Sequence, residues 1–260
     1  MKRKVYAVIL LCIVFLYGLS ACAAPSLVYP GASMEMPDCN YGSEQQHVSL
    51  KAEDGTALRG WFFNRGAHTP LVVLYTGNAM NVGALNDLAE ADTARSYLLM
   101  NYRGYGDSEG TPSEALLVKD ARRCLSVARK KLGTPASVTL VGFSLGSGVA
   151  TQVAAAEQVD ALVLICPFDS ITTVACNMVP FIPRLLPLDS WNSAEYAPHI
   201  TCPVSILRAQ HDSIVPPSST DALLRAFKAV EPKVFSFECD HNDIFGMEGF
   251  TTTLRRQFAP

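Results

Sequence analysis

Val138-Thr139-Leu140-Val141-Gly142-Phe143-Ser144-Leu145-Gly146-Ser147-Gly148 is an apolar run that breaks into Gly-x-Ser-x-Gly and continues into a Val- and Ala-rich segment ending at Ala156. The run has the composition of a strand buried on both faces, and the segment after it reads as a helix. A serine between the two sits on a sharp, strained turn, where glycines two residues to either side avoid side-chain collisions. Its hydroxyl then stands above the sheet, beside a helix N-terminus that favours developing negative charge. Ser144 is therefore a candidate nucleophile. A bare Gly-x-Ser-x-Gly is common and can be a tight glycine turn with a capping serine. The flanking strand and helix give this one its weight.

The surrounding sequence repeats the same rhythm. Apolar runs at residues 71–75, 97–102, 138–141, 161–166, 204–207 and 234–237 read as strands, separated by amphipathic stretches. Several are continuous rather than alternating, as in parallel sheets covered on both faces. Ahead of them, residues 47–52 and 57–63, joined by Glu53-Asp54-Gly55-Thr56, read as an antiparallel hairpin. The best-marked helix opens at Thr111-Pro112-Ser113-Glu114, where Thr111 can cap, Pro112 suits the first helical position and Glu114 completes a capping box. Leu116, Leu117, Ala121, Leu125 and Ala128 continue it as a stripe, and Gly133 stops it. The fold class is thus α/β: a mostly parallel sheet with helices on both faces and an N-terminal antiparallel hairpin. Residues 168–200 are too long for a simple connection and strongly apolar. They are expected to form a small cap insertion over the carboxyl ends of the strands, the alternative being a crossover helix with long flanks.

A serine hydroxyl needs a base to take its proton. Of the five histidines, His47 lies in the first hairpin, His68 in a polar turn near Gly66 before the first parallel strand, and His199 ends the cap stretch. His211 immediately precedes an acid that is itself wanted for the site. His241 directly follows the last strand, which places it above the same sheet edge as Ser144. The base needs a carboxylate to fix its tautomer and stabilise the imidazolium. Asp212 follows the strand at 204–207 and gives the order Ser, Asp, His; Asp240 and Asp243 are nearer in sequence but are expected to point elsewhere. The developing oxyanion needs two backbone N–H donors. Leu145 supplies one by position, and the loop Tyr75-Thr76-Gly77-Asn78-Ala79-Met80 the other, through Asn78, which follows Gly77, with its neighbour Ala79 as the alternative.

Five motifs then occur in order: Gly77-Asn78-Ala79, Asn101-Tyr102-Arg103-Gly104-Tyr105-Gly106-Asp107-Ser108, Gly142-Phe143-Ser144-Leu145-Gly146-Ser147, His211-Asp212-x-x-Val215-Pro216 and His241-Asn242-Asp243. Together they make residues 47–258 resemble the α/β-hydrolases, in particular the serine aminopeptidase-like and small depalmitoylase-like members. The resemblance implies the α/β-hydrolase fold and a catalytic triad of Ser144, Asp212 and His241. The chain departs from that group at Thr76-Gly77, where His-Gly is usual. The 102–108 stretch reads as architectural, with Arg103 making structural hydrogen bonds.

The chain ends are organised differently. Lys2, Arg3 and Lys4 precede residues 5–24, which carry no charge, and the run contains Leu19-Ser20-Ala21-Cys22. A basic start followed by an apolar run reads as an export signal. It resembles a bacterial lipoprotein signal, which implies removal of residues 1–21 and lipidation of Cys22. An uncleaved membrane anchor is the alternative. Residues 22–45, rich in Pro and Gly, read as a tether, and 46–260 as the domain. Either reading of the N-terminus places the domain outside the cytoplasm, attached to a membrane.

Half-hydrophobic composition (49%) with 17% charged residues excludes a disordered chain, and a net charge of −3 without a basic stripe excludes nucleic acid as partner. The cysteines lack C-x-x-C spacing, so no zinc site is expected, and no metal or organic cofactor is implied. Cys124 and Cys166 read as buried single thiols. The expected activity is hydrolysis of a small acyl ester or thioester through an acyl-enzyme. An aminopeptidase or amidase, or a non-catalytic binding lipoprotein that kept the fold, are the alternatives.

Overall fold

The computed structural model describes residues 28–32, 46–178 and 189–260. Eight strands form one sheet: β1 (His47–Lys51), β2 (Ala57–Phe63), β3 (Leu71–Tyr75), β4 (Ser96–Met100), β5 (Val138–Phe143), β6 (Ala161–Ile165), β7 (Val204–Ala209) and β8 (Lys233–Phe237). Their spatial order is β1-β2-β4-β3-β5-β6-β7-β8. β1 and β2 pair antiparallel, as does β2 with β4, and every pair from β4 to β8 is parallel. All residues of β3, β4, β5 and β6 are buried. That burial explains why their sequences run continuously apolar instead of alternating.

The helices are α1 (Asn86–Glu90), α2 (Glu114–Leu132), α3 (Leu145–Ala156), α4 (Ile171–Met178), α5 (Ser193–Tyr196), α6 (Pro217–Ala226) and α7 (Phe250–Arg255). Successive strand residues point to opposite faces, so the sheet builds two cores. On one face Leu71, Val73, Leu140, Leu162 and Ile206 pack with Leu117 and Leu125 of α2, Val149 and Val153 of α3 and Leu223 of α6. On the other, Val72, Leu74, Val141, Val163 and Leu207 pack with Ala89 of α1 and Phe250 and Leu254 of α7. Each fully buried Val, Leu or Phe of these layers contributes about 1.5–3 kcal/mol.

The sheet reverses its winding at β3, which has β4 on one side and β5 on the other. Ligands of open α/β sheets bind at the carboxyl ends of strands beside such a point. Tyr75, the last residue of β3, is in register with Gly142 of β5. The loop after β3 and the turn after β5 therefore emerge side by side.

Two local expectations change. α2 begins at Glu114 and not at Pro112, and its N-cap residue, Ser113, makes no side-chain cap. Glu114 is drawn away from a capping box because its carboxylate accepts from Gln152 Nε2 at 2.7 Å and from Trp191 N at 2.9 Å. Asp189 takes over the capping, its carboxylate accepting from Glu114 N at 2.8 Å. The second change lies in the tether at 22–45. Within it, residues 28–32 pack on the domain, where Val28 and Tyr29 join the first core. Gly133 ends α2 in the left-handed conformation, as expected of a glycine there.

Of the stretch 168–200, the described part places α4, α5 and a 3-10 turn (Ala197–His199) between β6 and β7, with Phe168 and Trp191 fully buried. Residues 179–188 of that stretch lie outside the described residues, as do Cys22 and the uncharged run at 5–24. No helix among the described residues is long and apolar enough to cross a membrane.

Candidate active site

Ser144 sits between β5 and α3 with φ +50° and ψ −118°, a conformation that costs a non-glycine residue roughly 1–3 kcal/mol. The flanking glycines allow it. A Cβ on Gly142 would run into the Gly146 carbonyl, and one on Gly146 into the carbonyl of Tyr75. The Ser144 carbonyl accepts from Ser147 N at 2.8 Å and from the Ser147 hydroxyl at 2.6 Å, which pins the turn. Leu145 opens α3, in the first turn where amides have no intrahelical acceptor.

The five histidines separate by burial. His47, His68, His199 and His211 are exposed, whereas His241 is 2% exposed. His211 pairs at the surface with Glu238 (3.0 Å) and takes no part in the site. His241 Nδ1 lies 2.7 Å from Asp212 Oδ2. Asp212 Oδ1 accepts from the amides of Ile214 (3.0 Å) and Val215 (2.6 Å), so the turn after β7 fixes the carboxylate before it meets the ring. Asp240 is occupied elsewhere, as expected. It accepts from Ser213 N at 2.8 Å, the Ser213 hydroxyl and His241 N at 2.7 Å, tying the acid loop to the base loop. These bonds hold its carboxyl below the usual carboxylate range.

Two supports of the pair carry no sequence signal of their own. The Phe143 ring lies 5.0 Å from the His241 ring, centroid to centroid, and is itself braced edge-on by Phe245. Cys166 follows β6 with φ +46°, buried, and its sulfur lies within 4.8 Å of the Asp212 and His241 donor atoms. Burial pushes that thiol far above its ordinary range, so it stays protonated. Among the described residues Cys166, Asp212 and His241 form the one group whose donor atoms, all within 4.8 Å of one another, are of metal-binding type. Cys124, Cys166, Cys176, Cys202 and Cys239 are free.

The loop after β3 passes beside Ser144, since a Cβ on Gly77 would lie 3.4 Å from the Ser144 Cβ and closer still to the Phe143 ring. Thr76 is buried and its carbonyl accepts from the Tyr102 hydroxyl at 2.9 Å. Asn78 uses its whole side chain. Nδ2 donates to the Val28 carbonyl and Oδ1 accepts from the Tyr105 hydroxyl, both at 2.6 Å. Ala79 has φ +57°.

Arg103 is architectural, as its motif suggested. Its guanidinium forks onto Asp120 of α2 (2.7 and 2.8 Å) and reaches Asp54 in the hairpin turn at 2.9 Å. A large groove of about 1060 Å³ opens at the opposite ends of the strands, lined by Arg129, Gly133, Ala156, Asp160, His199 and Cys202. None of Ser144, Asp212 and His241 lines it, so its size does not make it the site.

The family model described as alpha/beta hydrolase fold matches residues 70–186. An uncharacterized protein of Mycobacterium tuberculosis is 35% identical over 210 residues, covering 78% of this chain and 72% of that protein. The chain belongs to the α/β-hydrolase family. Among solved structures, an α/β-hydrolase from Vibrio vulnificus superposes with a TM-score of 0.71 at 19% identity, covering 90% of this chain and 92% of that one. The Pyrococcus furiosus esterase Pf2001 gives 0.67 at 17% identity, covering 87% and 98%. These two show the shared fold. The eight-stranded sheet, the switch at β3 and the serine turn after β5 in this α/β-hydrolase are the features that such a fold carries.

Proposed function

We propose that the protein is a serine hydrolase that cleaves a carboxylic ester or thioester through an acyl-enzyme. The observation that carries the reading is the strained turn at Ser144, whose neighbour Phe143 lies 5.0 Å from the ring of the one buried histidine, itself bonded to the buried Asp212 carboxylate at 2.7 Å. In this mechanism His241 takes the Ser144 proton as the hydroxyl attacks the acyl carbonyl, and Asp212 stabilises the imidazolium. The amides of Leu145 and Asn78 receive the oxyanion. His241 then passes its proton to the leaving alkoxide or thiolate, and water repeats the sequence on the acyl-enzyme.

An ester or thioester fits better than a charged peptide because the stretch 168–200 is predominantly apolar and Arg184 is its only Lys or Arg. The esterase name of the Pyrococcus furiosus neighbour leans the same way. We place the enzyme outside the cytoplasm, held to the membrane through a lipid on Cys22. The test is a fluorophosphonate probe on the purified chain, followed by a panel of ester, thioester and aminoacyl substrates of graded acyl length. Labelling at Ser144 with ester or thioester turnover is expected. Labelling elsewhere, or turnover of aminoacyl substrates alone, would refute the reading.

A further inference from the structure

We propose that residues 28–32 form a clamp that holds the Asn78 loop in position to receive the oxyanion, with Tyr29 as its positioning residue. The inference rests on the acyl-enzyme reading above.

The loop carries local backbone strain. Ala79 adopts a left-handed φ of +57°, which a residue with a side chain rarely takes without outside constraint. That constraint comes from the N-terminal segment. The Val28 carbonyl accepts from Asn78 Nδ2 at 2.6 Å, and Gly31 lies so close that a Cβ there would stand 2.6 Å from the Ala79 N and Cα. Tyr105 grips the other end of the amide at 2.6 Å, so the Asn78 side chain is fixed from two separate parts of the chain.

The clamp is in turn anchored. Tyr29 is 2% exposed, and Ala32 N closes a turn onto its carbonyl at 3.1 Å. Its hydroxyl accepts from Trp191 Nε1 at 2.9 Å and donates to Asp189. Burial and the Asp189 carboxylate push the phenol far above its ordinary range, so it remains a donor. Trp191 and Phe168 press on Gly148 in α3, the helix whose first residue is Leu145. One buried, hydrogen-bonded cluster thus touches the carriers of both candidate donors. Such networks hold geometry when every member is satisfied. Oxyanion donors must lie within a few tenths of an ångström of their place, and a misplacement of about 1 Å can cost on the order of 10²-fold in rate.

Two variants of the full chain test this: Gly31→Val, which forces Ala79 to move, and Tyr29→Phe, which removes the hydroxyl and keeps the ring. Both are assayed on p-nitrophenyl butyrate and with a trifluoromethyl ketone that becomes a tetrahedral oxyanion on Ser144. We expect kcat to fall on the order of 10- to 100-fold for Gly31→Val, and a smaller fall, by about 3- to 10-fold, for Tyr29→Phe. KM should change little, and ketone affinity should fall in step with kcat/KM. Thermal unfolding identifies folded variants, and should Gly31→Val not fold, Tyr29→Phe carries the same comparison. Folded variants that keep kcat within about two-fold, or that raise only KM, overturn the clamp and leave the acyl-enzyme reading standing. An unaltered chain that neither takes a fluorophosphonate at Ser144 nor turns over the ester overturns both.

Discussion

Asp212 and His241 are joined by a 2.7 Å contact between Oδ2 and Nδ1, although 29 positions separate them in sequence. The bond is rigid at both ends. Two backbone amides hold the other carboxylate oxygen, and the Phe143 ring backs the imidazole. A carboxylate in this place keeps the Nδ1 proton on the ring and leaves Nε2 free to accept. Asp212→Asn presents an amide instead, which donates to Nδ1 and favours the tautomer protonated at Nε2. We expect kcat to fall on the order of 10³- to 10⁴-fold with little change in KM. Ser144→Ala should cost on the order of 10³-fold or more, and the double variant no more than the worse single one, because the groups act as a unit. Steady-state kinetics on one activated ester decide it. Additive losses would mean the two residues do not share a mechanism.

Asp240 gives a prediction about acid stability. Hydrogen bonds from Ser213 N, His241 N and the Ser213 hydroxyl hold its carboxyl below the ordinary range. A folded pKa below the unfolded one means stabilisation that is present above about pH 4 and lost as pH falls through the folded value. Asp240→Asn should therefore destabilise the protein at neutral pH, and the gap from the unaltered chain should narrow as pH is lowered below about 4. Denaturant midpoints taken across that range measure the gap. A gap that is constant with pH would refute the electrostatic origin of the effect.

How far the sequence reaches depends on how local the physics is. Gly142 and Gly146 are needed because two carbonyls occupy the space of their side chains, and that need is written in the spacing around Ser144. Strands β3 to β6 are buried on both faces, so their composition alone marks them. Asp212 and His241 each follow a recognisable strand, which is what allows the sequence to pair them, and the fold brings them to 2.7 Å. What the sequence hides are contacts between distant segments. Tyr29 sits among prolines and glycines and reads as linker, yet it is buried against Trp191, 162 positions away. Glu114 has the spacing of a capping box, but Gln152 and Trp191 claim its carboxylate. Cys166 reads as a plain buried thiol, and only the fold brings it to Asp212.

Cys22 is tested by processing. If it carries a lipid, the mature protein begins there, and Cys22→Ser should accumulate a longer form that retains residues 1–21. Intact mass and detergent partitioning of the two forms separate the cases. Equal mass in both would instead indicate an anchor that is never removed.

The Arg103–Asp120 pair sets the last prediction. Arg103 is 3% exposed and Asp120 6%, and the two are joined by a two-pronged fork at 2.7 and 2.8 Å. Breaking such a pair from one side strands a buried charge and costs about 3–5 kcal/mol. Arg103→Met should therefore lower the thermal midpoint by roughly 6–20 °C, at about 2–4 °C per kcal/mol for a domain of this size. Arg103→Lys keeps the charge but loses the fork, and should fall between the two. Adding Asp120→Leu to Arg103→Met removes the stranded carboxylate, so the double variant should recover much of the loss. Because Arg103 binds α2 and the hairpin turn and nothing at Ser144, ester turnover per folded molecule should stay within a few-fold throughout. A large loss of turnover at an unchanged melting temperature would place Arg103 in the reaction instead of the scaffold.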